Sequence, residues 1–523
     1  MSSDVVISKK AYGFIPKFSW GLFDFANTAY VFIVMTLAGV RYFDAAGVGG
    51  ELYYGISFFV SMIVSGIVVP MMGALSDRFG HPKLGVIILS IISVITMVLM
   101  GMTQNLVLLF IFLLIGNLTF QSSLVLYDAL LPLLIRNNDE AGKVSGLGVG
   151  LGYLGSIVAA GLVMVILPNV MFNAIETEHI VDKQKKSYYL EVRDDKERTG
   201  QLGKVRFIID KDGKYQLLPK SFRFDEADGE TGQAIQDYKD SIAEIKIEDQ
   251  GDKLKIVSKT GKFIKLEYSD DKFSSGFFLG AILFIITAIP FVLFVPERRV
   301  NRVEAAKVYD KPALSQVFAT VRSLPSNKPL FFFLLGAFMC QDVQNTAILY
   351  LSKLTSSMFM PPEKQLVLFL LLINTFAAGF SFIQGYLSDK VGPRFVLIIG
   401  AFGTLCGLAI TTIIPQEMFF AMAAIVILGG GFGIAAFWVA GRKLLLILAP
   451  PAQVGEYFGF LNLTKKFAVL GIILFPLIKF IAFQNFHYSE ATSYRIALAG
   501  QLPLLILGIF FLFLIKIPKK SEF

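Results

Sequence analysis

The chain has 523 residues, of which 54% are apolar and 17% are charged, and its mean hydropathy is +0.64. This balance excludes a soluble protein and indicates a membrane protein. The net charge is +8, but 42 of the charged residues lie within residues 171–273, and basic residues elsewhere are explained by membrane orientation, so a nucleic-acid partner is not indicated.

Twelve apolar runs are each long enough to cross a bilayer, which takes roughly 20 residues. In chain order, helices 1 to 12 are predicted at residues 16–40, 52–74, 84–102, 105–131, 145–168, 274–295, 329–352, 365–387, 394–414, 416–440, 456–480 and 493–515. The predicted fold class is an all-α polytopic membrane protein in two six-helix halves. Its parts are helices 1 to 5 (1–168), an insert (169–273), helix 6 (274–295), a central loop (296–328) and the second half (329–523).

Basic residues are concentrated on one side of this arrangement. Loops on the side of the N-terminus hold 21 Lys and Arg, whereas the short loops opposite hold four. By the positive-inside rule, both termini and the central loop are predicted to be cytoplasmic.

The insert between helices 5 and 6 is then extracytoplasmic, and its pattern is typical of strands. Three hairpins are predicted, around Asp212-Gly213, Gln250-Gly251 and Thr260-Gly261. We expect a small, mainly β domain with one short helix around Gly232 to Ile245. It contains no N-x-S/T sequon, which favours a protein of the bacterial inner membrane.

The two halves repeat one another. Asp77 in GALSDRFGHPK aligns with Asp389 in GYLSDKVGPR at an offset of 312, and Asp24 in DFANTAY aligns with Asp342 in DVQNTAI at 318. GKVSG before helix 5 and GEYFG before helix 11 repeat at 313. Three landmarks at nearly constant spacing indicate two copies of one six-helix unit.

The loop sequence shared by both halves resembles the signature of the major facilitator superfamily. WGLFDFANTAY in helix 1, KVSGLGVGLGYLGS in helix 5 and EYFGF before helix 11 resemble the vacuole-effluxer branch, which includes fungal vacuolar amino-acid effluxers and bacterial relatives. The resemblance implies a 6+6 transporter fold whose helices 1 and 7 meet across a central cavity. The large insert, Val343 and Lys465 depart from the branch pattern.

Polar residues on helices 1 and 7 are the candidate cavity residues. A carboxylate in a bilayer costs about 2.5–3.5 kcal/mol and needs a partner, water or a proton. The candidates for solute or proton binding are Asp24, Asn27, Thr28, Gln341, Asp342, Gln344, Asn345, Thr346 and Lys466. Alternatively, each Asp is a structural hydrogen-bond acceptor, and Lys466 snorkels to the membrane surface.

Asp128 and Arg442 occupy nearly equivalent positions near the ends of helices 4 and 10. They either form a cytoplasmic gate pair or face their own loops.

The repeated loop has a mechanical interpretation. By the resemblance, Asp77 caps the start of helix 11 and Asp389 the start of helix 5 when the cytoplasmic side is shut. The remaining residues assigned to this latch are Gly73, Arg78, Gly80, Lys83, Gly385, Lys390, Gly392 and Arg394. The alternative is that these charges only set topology.

The sequence favours a secondary transporter, not an enzyme, that moves a small polar, amino-acid-like solute by alternating access, with proton coupling as part of the hypothesis. Cys340 and Cys406 lie in apolar runs and no metal-ligand or phosphate-loop pattern occurs, so no cofactor or metal is expected. The alternatives are a receptor or assembly protein that uses the outer β domain to bind an extracytoplasmic partner, and a lipid flippase of the same fold.

Overall fold

The structure is a computed structural model. It describes residues 12–39, 42–43, 50–103, 105–166, 272–297, 312–361, 363–466 and 469–517, together with the strands of the insert and the residues around them at 242–250 and 253–261.

Helical segments lie at all six predicted positions of the first half. Helix 1 continues from an α-helical into a π-helical part, and the bounds are Phe14–Tyr30 with Val31–Ala38, Gly50–Phe79, Pro82–Met102, Leu106–Asp128, Ala141–Ile166 and Lys272–Phe294. Local sequence explains two of the starts. Pro82 opens helix 3, where its missing N–H costs nothing, and the Asn105 side chain accepts from the N–H groups of Val107 and Leu108 to cap helix 4.

The second half repeats this arrangement with more interruptions. Its helices are Lys328–Phe359, Glu363–Lys390, Pro393–Ile413, Phe419–Leu448 with a π-helical turn at Val426–Gly430, Val454–Lys466 with Val469–Phe480 and π-helical Ile481–Asn485, and Glu490–Ala499 with Leu502–Phe513. The described part of helix 11 therefore falls in two segments, one up to Lys466 and one from Val469. A short helix at Ala313–Ser323 precedes helix 7.

Among the described residues, nine helices are long and apolar enough to cross a membrane. The three predicted spans outside this set are helices 1, 7 and 11, which hold the polar and charged residues singled out from the sequence. Charged side chains inside a bilayer are characteristic of function rather than of simple anchoring.

The halves meet mainly through two helix pairs. Helix 5 packs along helix 8 and helix 2 packs along the first segment of helix 11, with further contacts of helix 10 on helix 5. Small residues permit the close approach, since a Cβ on Gly385 would lie 2.7 Å from the Gly142 carbonyl oxygen and one on Gly73 would overlap the Gly455 carbonyl oxygen. Both contacts lie at the predicted cytoplasmic end.

The insert contains two antiparallel sheets. Its strands are β1 (Ala174–Glu176), β2 (Glu178–Asp182), β3 (Ser187–Arg193), β4 (Leu202–Ile209), β5 (Tyr215–Pro219), β6 (Ile245–Gln250), β7 (Lys253–Ser258) and β8 (Phe263–Tyr268). The orders are β1-β8-β3-β4-β5 and β2-β7-β6.

Two of the three predicted hairpins are present, β4–β5 and β6–β7. The third, β7–β8, is wrong, because both edges of β7 are taken by β2 and β6 while β8 pairs with β1 and β3. Most of the helix predicted around Gly232 lies outside the described residues. Its last turn is helical at 242–244, and β6 begins at Ile245.

Candidate functional site

A charged cluster joins the two halves of the bundle. Arg442 of helix 10 donates from Nη1 and Nη2 to Asp24 Oδ2 of helix 1, each at 3.1 Å. Its Nε lies 2.8 Å from Asp128 Oδ1 at the end of helix 4. The side chains of Arg442 and Asp128 are each 2% exposed and that of Asp24 is 11% exposed. One guanidinium therefore lies between two carboxylates, and all three side chains are almost fully buried.

Aromatic rings support the guanidinium. Trp20 and Tyr127 stack with ring centroids 4.4 Å apart, and Arg442 Cζ lies 5.4 Å and 5.6 Å from the two centroids. Trp20 Nε1 also donates to the Tyr127 carbonyl oxygen at 3.1 Å. The planar guanidinium is suited to such a position, since it can interact with π faces and carboxylates at once.

The cluster is completed by a second residue of the C-terminal half. Asn462 of helix 11 donates from Nδ2 to Asp128 Oδ2 at 2.8 Å. Asp128 of the first half is therefore held by helices 10 and 11 of the second. Ser145 of helix 5, which donates to the Val439 carbonyl oxygen at 3.1 Å, adds a neighbouring contact between the halves.

The other two polar residues of helix 1 differ from Asp24. Thr28 Oγ1 donates back to the Asp24 carbonyl oxygen at 2.9 Å, a local helix contact. Asn27 is 3% exposed, and neither polar atom of its amide has a hydrogen-bond partner among the described residues. A buried amide in this state costs about 1–3 kcal/mol, which a bound polar molecule would recover.

The polar residues of helix 7 contact helices 9 and 11. Asp342, fully buried, accepts from the Gly471 N–H at 2.7 Å at the start of the second segment of helix 11. Gln341 Oε1 accepts from Thr464 Oγ1 at 2.9 Å, and Gln344 Nε2 donates to Thr404 Oγ1 at 2.9 Å. Asn345 is half-buried and Thr346 is buried beside Gly471.

The structure thus places the two repeat-related acids against different partners. Asp24 contacts helix 10, whereas Asp342 contacts helix 11. Lys466 ends the first segment of helix 11, and its side chain lies outside the described residues.

Asp389 is bound to the start of helix 5. Its Oδ1 accepts from the Gly142 N–H at 2.8 Å and its Oδ2 from the Lys143 N–H at 2.9 Å. Lys443 of helix 10, whose side chain is 4% exposed, lies with Nζ 2.7 Å from Asp389 Oδ1 and donates to the Ser388 carbonyl oxygen at 3.0 Å. A carboxylate at a helix N-terminus satisfies N–H groups that have no partner within the helix.

Asp77 holds the start of helix 11 in the corresponding way. Its Oδ2 accepts from the Glu456 N–H at 2.9 Å. The carboxylate of Glu456 is itself buried beside this contact. The two repeat-related contacts therefore share their backbone geometry but differ in the side chain placed next to the Asp.

The remaining loop residues tie each loop to its own half. Gly80 and Gly392 have φ of 75° and 98°, in the left-handed region that favours glycine. The Lys83 N–H donates to Glu297 Oε1 at 3.0 Å after helix 6, and Arg394 Nε donates to the Leu512 carbonyl oxygen at 3.2 Å at the end of helix 12.

Two further cations of the loops lie over aromatic rings. Arg78 lies 5.7 Å from the centroid of Phe79, and Lys390 lies 5.7 Å from that of Tyr386.

Several residues of these contacts were missed from the sequence. They are Trp20, Tyr127, Glu297, Lys443, Glu456 and Asn462. Trp20 carried a signal, since it is one of two tryptophans and lies one turn before Asp24. Lys443 and Asn462 had none, because a charge or amide near a helix end is ordinarily solvated.

Comparison with known proteins supports this architecture. Residues 52–182 match the model of the family described as vacuole effluxer Atg22 like. An uncharacterized MFS-type transporter of Bacillus subtilis (strain 168), YxiO, is 26% identical over 149 residues, which cover 27% of this chain and 35% of the relative. The match thus spans about a third of that relative's length.

Solved structures match over nearly the whole chain. The Escherichia coli fucose:proton symporter FucP gives a TM-score of 0.58 at 12% identity, covering 95% of this chain and 97% of that one. The human organic anion transporter MFSD10 gives 0.57 at 12% identity, covering 95% and 99%. FucP in its outward conformation gives 0.59 at 12% identity, covering 95% and 97%. The chain has the major-facilitator fold, and its sequence resembles the vacuole-effluxer branch of that superfamily.

Proposed function

We propose that this protein is a secondary transporter that moves a small polar, amino-acid-like solute across the bacterial inner membrane by alternating access. The observation that carries the proposal is the Asp24–Arg442–Asp128 cluster, which joins the two halves with buried charged groups from each. Both termini lie in the cytoplasm in this proposal, as the distribution of basic loop residues predicts.

The arrangement of contacts supports a cytoplasm-closed, outward-facing state. Among the described residues, polar and glycine-mediated contacts between the halves run from the Asp77 and Asp389 loops as far as Pro70 with Gly459 and Gly150 with Phe382. Opening the cytoplasmic side requires all of these to separate.

The chemistry of the cluster suggests the solute class. When the halves move apart, Asp24 and Arg442 expose one carboxylate and one guanidinium, which match the ammonium and carboxylate of a zwitterion. Asn27, one helical turn from Asp24, supplies an amide whose hydrogen bonds a solute would complete.

Proton coupling is assigned to Asp24. Of the two carboxylates that contact Arg442, the Asp24 side chain is the more exposed, at 11% against 2% for Asp128. Asp342, by contrast, is assigned a structural role at the start of the second segment of helix 11.

Counterflow in proteoliposomes with a panel of labelled amino acids, sugars and organic anions tests the function, because counterflow needs no assumption about the driving ion. We expect exchange of at least one amino-acid-like solute. Asp24→Asn should retain exchange only at higher solute concentration, because the ammonium loses its carboxylate partner, and should lose accumulation driven by a pH gradient. Accumulation by Asp24→Asn equal to wild type would exclude this acid from coupling, and absence of counterflow with every solute would exclude transport of these classes.

A further inference from the structure

The contacts of Asp389 and Asp77 with the starts of helices 5 and 11 differ in the charge of the side chain that lies next to each Asp. At Asp389, the ammonium of Lys443 lies 2.7 Å from the carboxylate. At Asp77, the neighbouring side chain is the carboxylate of Glu456, whose own N–H donates to Asp77 at 2.9 Å.

Glu456 is fully buried in this closed state. It is 0% exposed, and neither of its carboxylate oxygens has a well-formed hydrogen bond from the described residues. An ionised carboxylate in such a place loses its hydration, which costs free energy unless other groups replace the lost water.

The position of Glu456 in the first turn of helix 11 and the polar groups around it offset only part of this cost. Asp77 of helix 2 is the charged group that acts on it, and it disfavours ionisation. Thr320 and Gln316 approach the carboxylate from the helix at Ala313–Ser323 and favour its ionised form, and Tyr457 follows it in the chain. Among the described residues of helices 4, 7 and 10, which also pack against the first segment of helix 11, no cation neutralises this carboxylate.

We infer that Glu456 is a proton-binding site on the cytoplasmic side that controls the latch, binding one proton as helix 11 closes onto helix 2 and releasing it when they separate. The carboxylate and proton combine to a carboxylic acid without any other reactant. The proton enters from and returns to the cytoplasm, so this site senses cytoplasmic pH and is distinct from the coupling assigned to Asp24. Acid conditions favour the shut latch and alkaline conditions the open one.

The inference rests on the proposed alternating access. An assay of cytoplasmic opening tests the Glu456 switch separately from transport. Ser145 is buried between helices 5 and 10, so we expect it to become accessible when the cytoplasmic side opens. A Ser145→Cys variant in which both native cysteines are replaced, Cys340→Ala and Cys406→Ala, therefore measures this opening. Labelling with a membrane-impermeant maleimide from the cytoplasmic side is measured from pH 5.5 to 8. Each rate is divided by that of the denatured protein at the same pH to remove thiol ionisation.

We expect normalised labelling to rise with pH by up to about tenfold per unit, the limit for one proton. Glu456→Gln, which imitates the neutral acid, should label slowly at every pH. Glu140→Gln, which removes a carboxylate on the same side that is paired with Lys17 at 2.8 Å, should keep the pH response.

A pH response unchanged by Glu456→Gln, or none in the reporter chain, would overturn the inference. Correct folding of each variant is checked by its thermal unfolding. Counterflow is scored separately, so a transporter without this switch and a protein without transport give different results.

Discussion

Arg442 Nε lies 2.8 Å from Asp128 Oδ1, across the interface of the two halves, while both terminal nitrogens of the same guanidinium donate to Asp24 at 3.1 Å. A single cation therefore compensates two acids that the sequence places 104 residues apart. Because the cluster contains two acids and one cation, we expect its three members to respond differently to substitution.

Arg442→Gln should be much more harmful to stability than Asp24→Asn. The first leaves two buried carboxylates facing each other, and breaking a buried ion pair in this way costs about 3–5 kcal/mol. The second leaves Arg442 paired with Asp128. Thermal unfolding in detergent measures both, with Arg495→Gln as the control, since that guanidinium donates to the Thr412 carbonyl oxygen at 3.0 Å and joins no carboxylate among the described residues. Equal melting temperatures for the Arg442 and Asp24 variants would contradict the charge balance.

Gly385→Ala should hold the cytoplasmic side open. Its Cβ would lie 2.7 Å from the Gly142 carbonyl oxygen, so closure would require backbone movement at about 1–3 kcal/mol. Gly379→Ala on the same helix is the matched control, since nothing lies within 4 Å of its Cβ. We expect faster Ser145→Cys labelling and slower counterflow for the first variant alone. Similar behaviour of the two would show that the close approach is not required.

Asp389→Ala should destabilise the closed state by more than the loss of its hydrogen bonds to the start of helix 5, because it also removes the ion-pair partner of Lys443. It leaves the Lys443 ammonium buried, with the Ser388 carbonyl oxygen as its remaining partner among the described residues. Adding Lys443→Met should therefore recover part of the loss, which a double-mutant cycle on the melting temperature or on Ser145→Cys labelling would detect. Purely additive effects would mean that the two side chains act independently.

Replacing residues 173–270 by a short flexible linker should leave counterflow largely intact. Among the described residues, the strands of the insert pair with one another in two sheets, and helices 5 and 6 are joined to the bundle by their own packing. The measurement is the initial rate of counterflow per mole of reconstituted protein. Loss of function in a variant that is still folded and monodisperse would favour a role for the outer domain in binding an extracytoplasmic partner.

The sequence by itself determined the helical positions, the twofold repeat and two of the hairpins. These follow from local quantities: the length of apolar runs, strand alternation around Gly-containing turns, and spacing between copies of one motif. Asp77 and Asp389 each accept from a backbone N–H at the start of a helix in the other half, and their role as a latch stays a prediction.

Only the tertiary structure decided which charges meet. Asp24 and Asp342 occupy the same position in the repeat, yet Asp24 faces Arg442 and Asp342 faces the start of a helix segment, because the halves differ in the residues that pack opposite them. Glu456 and Lys443 looked like ordinary helix-end charges. Their burial, and hence their chemistry, depends on how two helices from opposite halves approach, which no local pattern in the chain records.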